Sequence, residues 1–139
     1  MARKLGLVAG VAAMLGLSAC GGPSAAQRVR TTVQGYAKAF ARHDYQALCD
    51  RYLAPSIGAG LLASTGVPCE SAIRAKVSTT VDPTLKVGAI HVTGDKATAA
   101  VHTTAVGEAP SDDTMALQRI RGQWRITALA QPEPLPVGP

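Results

Sequence analysis

Imidazoles, thiols and activated hydroxyls are sparse in this chain, and their spacing decides most of the chemistry open to it. The three histidines stand at 43, 91 and 102. If Gly94-Asp95 turns a hairpin, His91 and His102 share one sheet face but lie four pairing rows apart, roughly 13 Å at the usual rise per strand residue. One ion with ligand bonds of about 2 Å cannot bridge that gap, and His43 has only Asp44 beside it. The sequence therefore predicts no metal site. Serine and threonine are plentiful, yet there is no Gly-x-Ser-x-Gly elbow and no glycine-rich phosphate loop. Gly58-Ala59-Gly60 lacks the rest of a nucleotide fingerprint. No cofactor is expected.

The thiols are more informative. Cys20 closes the tetrapeptide Leu17-Ser18-Ala19-Cys20, behind the basic pair Arg3-Lys4 and a thirteen-residue run, Leu5 to Leu17, of Leu, Val, Ala, Gly and Met. That run is short of the about 20 residues a spanning helix needs and has the size of an export signal. Small residues before a cut are common to signal peptides; a Cys at the cut resembles the bacterial lipobox. The resemblance implies a diacylglyceryl thioether on Cys20, cleavage before it, and acylation of the new amine. One acyl chain holds a protein marginally, whereas two or three hold it firmly. Residues 1–19 are thus expected to be a lipoprotein signal peptide. The mature protein would be lipid-anchored on the extracytoplasmic face of the cell membrane.

Of 139 residues, removing 19 leaves 120, the size of one domain. The formal charge of +5 falls to +3, because only Arg3 and Lys4 are lost. That balance argues against a nucleic-acid partner, which needs a dense basic stripe. With Cys20 lipidated, Cys49 and Cys69 remain, in a compartment where disulfides persist; they are predicted to pair.

Those residues need elements to hold them. Residues 20–27 read as the lipidated Cys and a short Gly/Pro/Ser/Ala tether. Arg28 to Arg42 reads as a helix, with Val29, Val33, Tyr36, Ala37 and Phe40 on one stripe. Gly35 there implies tight packing or a bend. Asp44 suits an N-cap for a second helix, Tyr45 to Leu53, which Pro55 stops. Residues 56–67, rich in glycine, read as a turn or a poor short helix. Pro68 suits the first position of a third helix, Glu70 to Val77. A Cys49–Cys69 bond would staple the second helix to the third.

After Asp82-Pro83 the pattern turns to strands: Leu85 to Val92 and Lys96 to Val106 around Thr93-Gly94-Asp95, then Thr114 to Arg121 and Gln123 to Leu129 around Gly122. Gly107 to Asp113 reads as a loop. Residues 130–139 read as a Pro-rich, disordered tail. For the last hairpin a three-residue loop, 121–123, pairs Ile120 with Trp124 and avoids burying charge. It also sets Arg119 opposite Arg125, an unfavourable pair that, with Arg121, suggests a patch for an anion or a partner.

An amphipathic first helix, two shorter helices and a meander ending in Gly-Gln-Trp-Arg-Ile resembles the nuclear-transport-factor-like (cystatin-like) cone, over about residues 28–129. His43-Asp44 before Leu48-Cys49, with a later Pro68-Cys69-Glu70, is similar to small exported actinobacterial proteins of that superfamily. The resemblance implies an α+β fold in which a curved antiparallel sheet wraps the first helix and leaves a pocket. Its walls would be Val33, Tyr36, Phe40, Leu117, Trp124 and Ile126, residues whose alternative role is plain core. Some cone proteins are isomerases or dehydratases with a carboxylate base on the sheet. The strand stretches 85–92, 96–106 and 114–129 hold no Asp or Glu, and the catalytic positions cannot be matched, although Asp50 and Tyr52 could reach a pocket from the helices. The expectation is a non-enzymatic domain that binds a small apolar or lipid-like molecule or an envelope protein. The alternative is an accessory subunit of a membrane transport or assembly complex.

Overall fold

A computed structural model of the protein describes residues 21–131, so the expected signal peptide, Cys20 and residues 132–139 of the expected Pro-rich tail lie outside the described residues. The first helix, α1 (Ala25–Ala41), opens on a capping box. The Ser24 hydroxyl accepts from the Gln27 N–H at 3.1 Å, and Ser24 N–H donates to Gln27 Oε1 at 2.8 Å. That reciprocal cap starts the helix three residues before Arg28 and shortens the expected tether. Val29 and Val33 are completely buried. Arg30 donates to the carbonyls of Val87 and Gly88 at 2.9 and 3.0 Å, which pins the helix to a bulge in the first strand.

Asp44 caps a single turn, α2 (Tyr45–Ala47), through Ala47 N–H at 3.0 Å. The chain then widens into a π-helical turn, Leu48–Tyr52, where a regular helix to Leu53 was expected. The reason lies in residue spacing. Leu48 and Leu53 are both buried at five residues apart, and the i→i+5 bond from Leu53 N–H to Leu48 carbonyl (2.9 Å) brings them to the same side.

Residues 56–67 are the clearest departure from expectation. Pro55–Thr65 is an eleven-residue helix, α3, with Pro55 at its start and Gly66 ending it in the left-handed region at φ 73°. Ile57 and Leu61, one turn apart, pack on the core. Gly58 faces Cys69 across an ordinary contact distance: a Cβ placed at 58 would lie 3.7 Å from the Cys69 Cβ. Pro68 precedes α4 (Cys69–Val77) as its cap residue, and Cys69 is the first helical residue. Cys49 and Cys69 are disulfide-bonded with Cα atoms 6.1 Å apart. The crosslink ties the π turn to α4 and removes about 3 kcal/mol of unfolded-chain freedom in the loop-entropy model.

Four antiparallel strands follow as a meander in the order β1 (Thr84–Thr93), β2 (Lys96–Thr104), β3 (Ser111–Ile120) and β4 (Gln123–Gln131). Ala97, Ala99, Val101, Met115, Leu117, Trp124 and Ile126 face α1 and make the core with Val29, Val33, Leu48 and Leu53. The fold is α+β, helices packed on a curved antiparallel sheet.

The last hairpin differs from the expected register. Its loop has two residues, with Arg121 at φ 51° and Gly122 at φ 82°, a pairing of positive φ values that matches the strand twist. Ile120 therefore pairs with Gln123, Arg119 with Trp124, and Gln118 with Arg125. Charge is not buried by this arrangement, because Arg119 lies at the exposed end of the sheet. The strand β3 also begins three residues early. Thr103 and Ser111 hydroxyls meet at 2.8 Å and His102 meets Asp112 at 2.7 Å across the ladder, which carries Asp112 and Asp113 into the sheet.

Gly35 answers a specific packing demand. A Cβ there would fall 2.5 Å from Tyr52 Cε1 and 2.6 Å from its hydroxyl. Gly35→Ala should therefore lower stability in the native background, where the ring must move. In a Tyr52→Ala background the same change should raise stability by about 1 kcal/mol, the helix-propensity gain. Urea unfolding of the four proteins of this cycle measures both signs, and equal effects in both backgrounds would refute the packing account.

Candidate functional site

Two openings flank α1. The first is a cavity of about 230 Å³ at the mouth of the cone. Tyr36, Ala37 and Phe40 of α1 form one wall; Thr80, Pro83, Thr84 and Leu85 form the entrance to β1; and Thr103, Ser111 and Met115 come from β2 and β3. The β2–β3 loop closes it with Ala105, Glu108 and Ala109. Val106 N–H donates to the Val81 carbonyl at 2.9 Å, so this loop is tied to the segment before β1, and both valine side chains are more than half exposed beside the entrance.

Of the six expected pocket walls, Tyr36 and Phe40 line this cavity, with ring centroids 6.1 Å apart. Val33, Leu117, Trp124 and Ile126 sit in the core and do not line it. The walls that pattern reading missed include four threonines, Thr80, Thr84, Thr103 and Thr104, and the loop residue Glu108. Their one sequence signal is position: they cluster at the ends of β1 and β2 and in the loop that follows, where loops gather at a sheet's open end.

Electrostatically the cavity is quiet. Tyr36 and Glu108 are its only titratable lining residues. Burial pushes the Tyr36 phenol up from its ordinary value to about 12; like any phenol it is uncharged at neutral pH and can donate or accept a hydrogen bond. Behind the lining, Ser111 donates to Asp113 Oδ2 at 2.7 Å. Asp112 and Asp113 belong to β3, so the premise that the sheet carries no carboxylate does not hold. Asp113 is engaged by Ser111, and Asp112 by His102 on the exposed side.

The second opening is a broad groove of about 960 Å³ along the other side of α1. It is lined by Arg28, Gly35 and Lys38 of α1, by Asp50, Arg51 and Tyr52 of the π turn, and by Gly122 to Arg125 of the last hairpin. The expected Arg119, Arg121 and Arg125 patch is divided by the register. Arg119 sits opposite Trp124 and Arg121 occupies the turn, while Arg125 donates to the Asp50 carbonyl and, at 3.2 Å, to Gln123 Oε1. Asp50 and Tyr52 line this groove and not the cavity. Among the described residues no three His, Cys, Asp or Glu side chains gather where they could hold a metal ion. Nor is any helix there long and apolar enough to cross a membrane.

No protein-family model matches this sequence, and no curated protein matches it. Solved structures do. An NTF2-like protein of unknown function from Silicibacter pomeroyi is 22% identical, with 72% of this chain covering 87% of that one at a TM-score of 0.51. A de novo designed NTF2-fold protein, NT-9, is 15% identical over 78% of this chain and 88% of its own, at 0.52. TsrD from Streptomyces laurentii is 18% identical over 71% and 84%, at 0.51. The chain thus has the nuclear-transport-factor-2-like cone fold, an architecture that hosts many activities.

The raised Tyr36 pKa has a thermodynamic sign. Below about pH 10 the phenol is protonated in folded and unfolded chains alike; between about 10 and 12 the unfolded chain ionises first and stability falls as pH rises. Tyr36→Phe should flatten that alkaline loss while leaving the neutral-pH behaviour of the other tyrosines in place. Urea midpoints measured across pH 9 to 12 check this, and an unchanged slope in the variant would assign the loss to another group.

Proposed function

We propose that the protein is a lipid-anchored cell-envelope protein whose cone cavity binds a small, largely apolar molecule that carries hydrogen-bonding groups. The observation that carries the binding reading is the composition of the cavity: Tyr36, Phe40, Leu85 and Met115 supply apolar wall, and the hydroxyls of Tyr36, Thr84, Thr103 and Ser111 are polar fixtures among them. Polar groups converging on an otherwise apolar concavity are the usual make-up of a ligand site. The anchoring reading rests on Leu17-Ser18-Ala19-Cys20 behind its basic and apolar segments, with the capped fold starting at Ser24. Export also accords with the Cys49–Cys69 bond.

Binding is favoured over turnover because the cavity offers no acid–base pair. Its one carboxylate, Glu108, stands on an exposed loop, and no hydrogen bond joins it to the one phenol of the lining, Tyr36. A dehydratase- or isomerase-like activity that Glu108→Gln abolishes would overturn this. An accessory role in an envelope complex would use the outer surface instead and would leave the cavity empty.

Native mass spectrometry of the chain from Gly21, secreted from a related bacterial host, should show a reproducible added mass that leaves on denaturation. Ala37→Phe fills the cavity from its α1 wall and should remove that mass while the fold persists. A bare protein of single mass, together with one protein neighbour captured by crosslinking in cells, would replace the carrier reading with the accessory one.

A further inference from the structure

The groove on the far side of α1 has chemistry the cavity lacks. Arg28, Lys38, Arg51 and Arg125 all line it, against the single carboxylate of Asp50. Among the described residues none of these four cations is in an ion pair; Arg28 and Arg125 donate to the backbone carbonyls of Pro23 and Asp50. Trp124 lines the same groove, is 4% exposed, and its Nε1–H has no hydrogen-bond partner. An indole nitrogen only donates, so an unsatisfied buried donor beside unpaired cations calls for an acceptor that is also an anion.

The rim of the groove includes Pro23, three residues beyond Cys20. Three extended residues reach only about 10 Å. A lipid on Cys20 therefore holds this basic side, rather than the cavity mouth, against the bilayer surface.

We propose that the groove receives the phosphate of an anionic phospholipid headgroup from the membrane that carries the anchor, seating the domain in one orientation on the bilayer. The proposal rests on the anchoring reading of Cys20. Arg28, Lys38 and Arg51 supply the field at its exposed sides, Arg125 a further cation at its floor, and Trp124 an indole N–H, covered in the free protein, that the headgroup satisfies once the ring edge is uncovered.

Trp124 is the only tryptophan in the chain and reports directly on the site. The mature chain, residues 20–139 with Cys20 chemically blocked and the disulfide intact, is sedimented with phosphatidylcholine vesicles with and without phosphatidylglycerol. Binding should require phosphatidylglycerol, shift Trp124 emission, and weaken with salt. Removing each cation should cost about five-fold, so the triple variant Arg28→Gln, Lys38→Gln, Arg51→Gln should lose about a hundred-fold. Lys86→Gln, outside the groove, should bind like the parent, and near-ultraviolet dichroism verifies that each variant is folded. Equal binding to both vesicles, an unmoved Trp124 emission, or full binding by the triple variant would overturn the proposal. So would complete displacement by millimolar inorganic phosphate, which would assign the groove to a soluble anion. The anchor is tested separately, by whether Cys20→Ser moves the protein from the membrane fraction of cells to the medium. Release without loss of vesicle selectivity upholds both readings; no release overturns the anchor alone.

Discussion

At 2.8 Å the backbone N–H of Ala54 reaches the carbonyl of Ile126, and Leu53 bridges the same strand in parallel. Through that contact the helical half of the chain is registered on the outer edge of β4. An unpaired edge invites association with other chains; here part of it is satisfied internally. Ile126 is fully buried, and so are Leu48 and Leu53 around it. The π turn between those leucines sets where Cys49 stands, hence where the disulfide draws α4, and it presents the Asp50 carbonyl to Arg125. Loss of this docking would release the wall of the groove and the support of α3 together. The mouth of the cone, at the opposite end of the strands, depends on it only through α1.

Much of the architecture was legible because its signals are local. The stripe from Val29 to Phe40, the change to strand alternation after Pro83, and the Thr93-Gly94-Asp95 turn each follow from backbone chemistry within a few residues. The disulfide was legible through cysteine count and compartment. Other features depend on distant partners. Gly58 and Gly60 discourage a helix by propensity, yet α3 forms because Ile57 and Leu61 find the core. The Ser24 and Gln27 box was readable and was passed over, since the apolar stripe begins later, at Val29.

Register proved the least legible property. The three-residue loop was attractive because it grouped Ile120 with Trp124 and removed arginine from the apolar face. That argument assumed a sheet buried along its whole length. The strands outrun the core at the last hairpin, so Arg119 shares a face with Trp124 and Ile126 at no desolvation cost. The polar run up to Asp113 reads as loop and starts the third strand at Thr114: Asp112 and Asp113 are poor strand residues in isolation, but His102 and Ser111 satisfy them across and along the ladder. Four of the six candidate pocket walls take their alternative role, plain core, for a related reason. Val33, Leu117, Trp124 and Ile126 carry the strongest apolar pattern, and the strongest pattern marks the core, whereas the cavity opens where the pattern weakens into threonine and loop.

Both openings are consequences of one helix only half sunk into a curved sheet. At about 3.6 residues per turn, α1 has room for more than one stripe. Val29, Val33, Tyr36 and Phe40 share one stripe, whose first half is sunk in the core and whose second half, with Ala37, reaches the cone mouth; Arg28, Gly35 and Lys38 lie on another stripe that borders the groove. Moving α1 toward the sheet on one side would widen the opening on the other, and two contacts prevent it: the Arg30 bonds to the β1 bulge and the Tyr52 ring seated on Gly35. The fold thus separates an apolar, neutral concavity from a basic one by the width of a single helix. A molecule that enters the mouth and an anion that enters the groove would each meet a wall already held in place, so recognition at either opening needs no rearrangement of the other.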